Sequence, residues 1–219
     1  MNQILFFLHI LAVLGFLWFA VRLGKSALTA FIALCGVLAN LFVVKQIELF
    51  TLQVTCSDVF AIGGILGLNL LQELYGRSSA KKASGTALLA LVFFACMAQI
   101  HLLYTPSHFD QTQGSFFSIL SSSPRIIAAS CFVYYLVQRL DIVWFALLKK
   151  FLPFLALRIF ISLVLSQALD TVLFSFLGLY GIVSSLFDII IMSFAVKCTV
   201  IACSSPIASL LKRAHREAA

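Results

Sequence analysis

Charged residues are scarce in this sequence. Only 11% of the 219 residues are Asp, Glu, Lys or Arg and 62% are hydrophobic, with a mean hydropathy of +1.09. A soluble domain has about 25% charged residues and could not bury this much apolar surface. The hydrophobic residues come in blocks near the ~20 residues that a helix needs to cross a bilayer. We therefore predict one all-α transmembrane domain over residues 1–219, a polytopic membrane bundle of six to seven helices.

Enzyme motifs are also missing. The sequence has no H-E-x-x-H, G-x-S-x-G, Walker A or G-x-G-x-x-G pattern, and its six cysteines form no C-x-x-C pair. We expect a protein that is not an enzyme and needs no metal or cofactor. The net charge of +7 is spread in small groups beside apolar blocks rather than on one basic face, which argues against nucleic acid as a partner.

The apolar blocks predict helices near residues 4–21, 27–44, 58–75, 84–104, 124–147, 156–177 and 182–210. No basic residue precedes the first block, so we expect it to stay as a helix rather than to be cleaved as a signal peptide. Basic residues follow alternate blocks: Arg22, Lys25, Arg77, Lys81, Lys82, Lys149, Lys150, Lys212, Arg213 and Arg216. The positive-inside rule then predicts a multi-pass protein of the inner (plasma) membrane with its N-terminus outside and its C-terminus in the cytoplasm.

Two stretches do not suit an ordinary spanning helix. The run LFTLQVTCS between Glu48 and Asp58 is rich in β-branched and polar residues, which favours an extended outer segment or a broken helix. The polar segment from Thr105 to Ser123 is long enough to form a lid or a partly re-entrant loop. Irregular backbone at membrane depth must be buried in protein or line a cavity, so either stretch is expected to border a binding site.

Polar residues inside the apolar blocks are the candidate site, because each costs a few kcal/mol at the bilayer centre and normally faces a partner or a cavity. The most central are Asn69, Asp170 and Lys197. The sixth block carries a polar stripe with a four-residue repeat, which should face the protein interior. It consists of Ser162, Ser166 and Asp170, with Gln167 and Thr171 alongside.

Other polar residues have two readings. Glu73 and Asp141 fall near the cytoplasmic ends of their helices, close to basic residues such as Arg77, Arg139 and Lys149, so an ion pair and a binding role both stay open. Arg125 follows a serine and proline helix start, where it either meets a ligand oxygen or anchors the helix at the outer surface. Gly63 and Gly67 form a G-x-x-x-G pattern that we assign to helix packing.

Four segments together resemble the queuosine precursor transporter family, also called the vitamin uptake transporter family. They are LGLNLLQELYGRSSAKKA at 66–83, SPRIIAASCFVYYLVQRLDIVWF at 123–145, SLVLSQALDTVLFSFLG at 162–178 and VKCTVIACSSP at 196–206. The similarity extends from about residue 30 to about residue 212. It implies a transporter core over about 27–212 and an accessory N-terminal helix at 4–21, since members usually have six helices.

The resemblance implies uptake of a 7-deazaguanine: 7-cyano-7-deazaguanine, its 7-aminomethyl relative or queuine. The family pattern marks as substrate-binding residues Asn69, Glu73, Arg125, Gln138, Asp141, Gln167, Asp170 and Lys197. This chain has Asn69 where many members have an aspartate. The partners expected are a small molecule and the lipid bilayer, and a homodimer stays open. The alternatives are uptake of another vitamin or nucleobase and a membrane assembly protein that transports nothing.

Overall fold

The computed structural model describes residues 2–43, 45–49, 52–121, 124–181, 186–187, 190–191 and 193–202. The helices of these ranges are α1 (Asn2–Leu23), α2 (Lys25–Phe42), α3 (Asp58–Leu102), α4 (Gln113–Leu120), α5 (Pro124–Phe151), α6 (Leu155–Phe174) and α7 (Ser193–Ala202). A π-helical turn, Ser175–Leu179, continues α6. Strands β1 (Gln46–Leu49) and β2 (Leu52–Thr55) pair as an antiparallel hairpin between α2 and α3.

Five helical segments of the described ranges are long and apolar enough to cross a bilayer: α1, α2, α3, Ala128–Phe151 and Leu155–Gly178. Large apolar side chains cover their outer faces, as those of Ile4, Phe16 and Leu89 show with about 70% exposure each. Such a surface is stable in lipid and not in water. The prediction of a helical multi-pass membrane protein is confirmed. The count of six to seven stays a prediction, since the last predicted helix, 182–210, lies partly outside the described residues.

Helix α3 consists of two helical segments that meet at Gly76, in agreement with the separate helices predicted at 58–75 and 84–104, but the second segment begins earlier than predicted. The whole of α3 runs for 45 residues and is interrupted at Gly76, which has φ 82° and ψ 167°. Only glycine adopts this conformation readily. The segment after the break, RSSAKKA at 77–83, was predicted as a loop but is helical. Its alanine, lysine and arginine residues are strong helix formers, which explains the difference.

The run between Glu48 and Asp58 contains β2, so the predicted extended segment is confirmed. In the register of the hairpin, Gln46 pairs with Thr55 and Leu49 with Leu52. Asn2 at the start of α1 donates a hydrogen bond to the Glu48 carbonyl at 3.0 Å. The hairpin is thereby attached to the N-terminal helix.

The segment from Thr105 to Ser121 carries the short exposed helix α4. Gln99 of α3 donates a hydrogen bond to the Leu120 carbonyl at 3.0 Å and so holds α4 against the end of α3. A cleft of about 520 Å³ lies between them, lined partly by His101 and Phe116. Asp110 accepts hydrogen bonds from the hydroxyl and the backbone N–H of Thr112. These hydrogen bonds lower the pKa of the Asp110 carboxyl.

Glycines on α3 allow close contact with the two preceding helices. A Cβ atom built at Gly63 would meet Val13 Cγ1 of α1 at 2.7 Å, and one at Gly67 would meet Ile32 Cγ1 of α2 at 3.1 Å. The role of the G-x-x-x-G pattern in helix packing is therefore confirmed. The buried side chains of α1, among them Leu17, belong to the same hydrophobic core as those of α3.

Candidate functional site

Polar side chains are buried where α3, α5 and α6 contact one another. With α7, these helices bury Asn69, Gln72, Gln138, Asp141, Arg158, Ser162, Ser166, Gln167, Thr171 and Lys197. Lipid offers no hydrogen-bond partner, so each of these groups must find one inside the protein or in a ligand. They form three groups along the helices: a central one around Asp141 and an ion-paired one toward either end.

Helix α6 turns one polar face toward the interior, as its four-residue repeat predicts. Ser162, Ser166 and Gln167 have 0% exposure and Thr171 has 4%. The Asp170 side chain keeps 27% exposure. The predicted stripe is thus confirmed, and Asp170 is its least enclosed member.

Asp141 of α5 is the centre of the middle group. It is fully buried, and its Oδ1 accepts hydrogen bonds from Ser162 Oγ at 2.6 Å and Ser166 Oγ at 2.7 Å. The Asn69 amide approaches the same carboxylate from α3. Among the described residues, no basic side chain lies within ion-pair distance of Asp141, and its Oδ2 has no hydrogen-bond partner. The ion pair that the sequence left open for Asp141 is therefore not formed with any of them.

Three buried amides lie on the helices that contact one another here: Asn69 on α3, Gln138 on α5 and Gln167 on α6. Each is at most 1% exposed, and neither polar atom of any of them has a well-formed hydrogen bond within the described ranges. Gln138 lies one helical turn before Asp141, where its amide approaches the Tyr134 hydroxyl. An unsatisfied buried polar group costs about 1 to 3 kcal/mol. Buried amides with incomplete hydrogen bonding are typical of a site whose partners come from a ligand.

Lys197 of α7 forms the second group. Its Nζ lies 2.8 Å from Asp170 Oδ2 and donates to Thr171 Oγ1 at 3.1 Å. Asp58, buried at the start of α3, is within electrostatic range of both Lys197 and Asp170. Lys197 is thus ion-paired with Asp170, and Asp58 adds a second carboxylate at longer range, on the side where α3 begins.

Glu73 forms the third group, at the opposite end of the first half of α3. Its Oε1 lies 3.3 Å from Arg158 Nη2 of α6 and its Oε2 lies 3.2 Å from Lys149 Nζ of α5. Arg158 also lies over the Phe145 ring, at 5.5 Å from its centroid. Of the basic residues that the sequence placed near Glu73, Lys149 is the one that pairs with it. Glu73 is thus part of a buried ion-pair network that joins three helices.

Arg125 lies apart from these buried residues. It is exposed at the start of α5, and its Nε donates a hydrogen bond to the Leu177 carbonyl at 2.8 Å. The helix begins at Pro124, as predicted, while Ser122 and Ser123 lie outside the described residues. This geometry matches the anchoring role that the sequence left open for Arg125.

Sequence reasoning missed two residues of these groups, Arg158 and Asp58. Arg158 is four residues before Ser162 and eight before Ser166, so it lies on the same face of α6. That spacing is a signal that could have identified it. Asp58 gives no comparable signal, because an acidic residue in the first turn of a helix is common for electrostatic reasons alone.

Comparison with known proteins is consistent with this helical architecture. Residues 55–211 match the model of a family described as "Putative vitamin uptake transporter". The "Probable queuosine precursor transporter" of Bacillus subtilis (strain 168) is 31% identical over 185 residues, which cover 82% of this chain and 81% of that protein. No solved structure matches the chain.

Proposed function

The chain belongs to the vitamin uptake transporter family, and from this membership we propose that it imports a queuosine precursor, a 7-deazaguanine base, across the cell membrane. The observation that carries the proposal is the burial of four polar side chains, Asn69, Gln138, Asp141 and Gln167, on the contacting helices α3, α5 and α6. A buried site of this kind at the meeting of several helices is where membrane transporters hold their cargo.

The chemistry of this group suits a neutral heteroaromatic base. A guanine-type ring carries several donors and acceptors in one plane, and each amide offers both a donor and an acceptor. Such a ligand would satisfy Asn69, Gln138 and Gln167 together, whereas an alkali cation would use their oxygen atoms alone and leave the NH₂ groups unpaired. The ion pairs alone would also suit a membrane assembly protein, but that role would leave the amides unsatisfied.

The two ion-paired groups lie on either side of the proposed site. Along α3 the order is Asp58, Asn69, Glu73, and along α6 it is Arg158, Gln167, Asp170. If one ion-paired group opens while the other stays closed, the site is exposed to one side of the membrane at a time. Alternating access requires this. We assign this role to Glu73 with Arg158 on the cytoplasmic side and to Lys197 with Asp170 on the outer side.

The proposed topology has seven crossings. The halves of α3, 58–75 and 77–102, are about 27 and 39 Å long at 1.5 Å per residue, so each is long enough to cross separately if the chain reverses near Gly76. The basic residues Arg77, Lys81 and Lys82 then lie in the cytoplasm with Lys149 and Lys150. This arrangement places the N-terminus outside and the C-terminus inside.

A second candidate cargo is another vitamin or nucleobase. Asn69 favours it, since an amide replaces the aspartate that many members have at this position. Competition between labelled 7-cyano-7-deazaguanine and unlabelled vitamins or nucleobases during uptake separates the two candidates. We expect only 7-deazaguanines to compete at low concentration.

The test of the proposal is rescue of cells that cannot make the base. Such cells should place queuosine in tRNA from external base only when they carry this protein. Gln138→Leu and Gln167→Leu each remove a proposed ligand contact, and the loss of about 1 to 3 kcal/mol lowers initial uptake roughly 5- to 100-fold. Gln111→Leu, the same change at an exposed loop position, is the matched control and keeps normal uptake. Equal uptake by all four proteins, at equal expression, would reject the site.

A further inference from the structure

The two carboxylates near the proposed site are in different states. Asp170 is ion-paired with Lys197 at 2.8 Å, and its side chain keeps 27% exposure. Asp141 is fully buried and has no cation within ion-pair distance in the described part of the chain. Its Oδ2 has no well-formed hydrogen bond there, although the Asn69 amide approaches the carboxylate. Asp141 is therefore the carboxylate of the two that no cation neutralises and that still needs a neutral donor.

The free oxygen of Asp141 is held in a fixed position. Ser162 and Ser166 both donate to Oδ1, at 2.6 and 2.7 Å, so the two lone pairs of that oxygen are occupied. The carboxylate cannot turn without breaking these hydrogen bonds. Oδ2 is thus presented to the interior as a strong, oriented acceptor in a water-poor place, where an acceptor without a donor is most costly.

A ligand for this oxygen must bring donors and must not be a simple cation. The buried amides of Asn69, Gln138 and Gln167 on the contacting helices α3, α5 and α6 add further acceptors and donors. A ring that carries an N–H and an exocyclic NH₂ side by side, with a carbonyl next to them, complements this set. The 2-amino-4-oxo pyrimidine edge of a guanine-type base has this pattern, and adenine-type and hypoxanthine-type edges do not.

We propose that Asp141 is the specificity-determining residue of the site and that its Oδ2 accepts the ring N–H and the 2-amino group of a guanine-type edge. This assignment rests on the proposed function. It gives Asp170 a different role, since Lys197 already neutralises that carboxylate through Oδ2. Ser162 and Ser166 act as positioning residues because they fix the carboxylate and do not contact the base.

The test compares two bases that differ in one group: 7-cyano-7-deazaguanine and the same base without its 2-amino group. Affinities for the purified full-length protein are measured by calorimetry. We expect the wild-type protein to prefer the amino base by about tenfold or more, because the other base leaves the acceptor unpaired. This measurement needs no variant. An equal affinity for both bases would overturn the inference.

Two nearly isosteric variants then assign the effect to one carboxylate. The Asp141→Asn protein should bind the amino base roughly 10- to 100-fold more weakly and lose its preference, since a charge-assisted hydrogen bond is replaced by an opposing NH₂ group. The Asp170→Asn protein should keep the wild-type ratio of the two affinities. A ratio retained in Asp141→Asn, or lost in Asp170→Asn, would overturn the assignment.

The outcomes also separate this inference from the proposed function. If the wild-type protein binds neither base, the proposed function fails and the inference fails with it. If the wild-type protein binds and transports both bases without preference, the proposed function holds and the inference alone is wrong. Melting temperatures of both variants, measured without ligand, show whether a loss of binding comes from a loss of folded protein.

Discussion

Replacing Glu73 by leucine should destabilise the protein far more than replacing its partner Lys149. The Arg158 and Glu73 side chains are each 5% exposed, whereas that of Lys149 is 55% exposed. Glu73→Leu leaves the Arg158 guanidinium buried without a carboxylate within ion-pair distance among the described residues. Lys149 can instead turn its ammonium group to water, so losing its partner costs it little.

The expected magnitudes follow from this difference in burial. Removing one partner of a buried ion pair leaves the other charge unpaired and lowers stability by about 3 to 5 kcal/mol. A half-exposed ion pair contributes only about 0 to 1 kcal/mol. We therefore expect about 3 to 5 kcal/mol for Glu73→Leu and less than about 1 kcal/mol for Lys149→Leu. Arg158→Leu should fall between them, since Glu73 keeps Lys149. The double variant Glu73→Leu/Arg158→Leu should cost clearly less than the sum of the two single variants, because it strands no charge.

The assay is reversible unfolding of the purified protein in mixed micelles, followed by far-ultraviolet circular dichroism as SDS is added. A double-mutant cycle over Glu73 and Arg158 gives the coupling directly. We expect a coupling of more than about 1 kcal/mol. Additive costs to within about 0.5 kcal/mol, or equal costs for Glu73→Leu and Lys149→Leu, would refute the reasoning.

Three further predictions concern backbone and loop positions. Gly63→Ala should lower the free energy of unfolding by about 1 to 3 kcal/mol, since its Cβ would lie 2.7 Å from Val13 Cγ1. The control Gly85→Ala, whose Cβ would have nothing within 4 Å, should be neutral or stabilise by up to about 1 kcal/mol. SDS unfolding compares the two variants, and equal costs would contradict the packing at Gly63. Gly76→Ala should cost about 1 to 3 kcal/mol in the same assay, because φ is +82° there, and an unchanged stability would mean that the break is absent. The pKa of Asp110 is lowered in the folded protein, so its hydrogen bonds stabilise the loop at pH values above the unfolded pKa. This stabilisation is lost as the pH falls through the folded pKa. An NMR titration midpoint at or above the ordinary value of about 3.9 would contradict this.

Much of the helical framework was predictable because lipid imposes it. Length and hydropathy alone predicted both ends of α1, α2, α5 and α6 to within about four residues. The first half of α3 was predicted to end at Tyr75, one residue before the break. The helical segment at 77–83 was not predicted, since charged residues were read as a loop although they are strong helix formers.

The burial of the candidate residues was predictable from the sequence, and their pairing was not. The cost of burying Asn69, Gln167 and Lys197 in apolar helices marks them without any structure. Which carboxylate meets a cation depends instead on the rotation of α5 and α6 against each other. That rotation places Ser162 and Ser166 beside Asp141 and brings Arg158 to Glu73, and no local pattern encodes it.

The most direct test of the central claim is counterflow in vesicles, because it does not depend on how transport is energised. Purified protein is reconstituted into vesicles preloaded with unlabelled 7-cyano-7-deazaguanine, and labelled base is added outside. We expect a transient accumulation of label that excess external 7-deazaguanine abolishes and adenine does not. Label that enters no faster than into protein-free vesicles, although the reconstituted protein is folded, would contradict the claim that this chain carries a queuosine precursor.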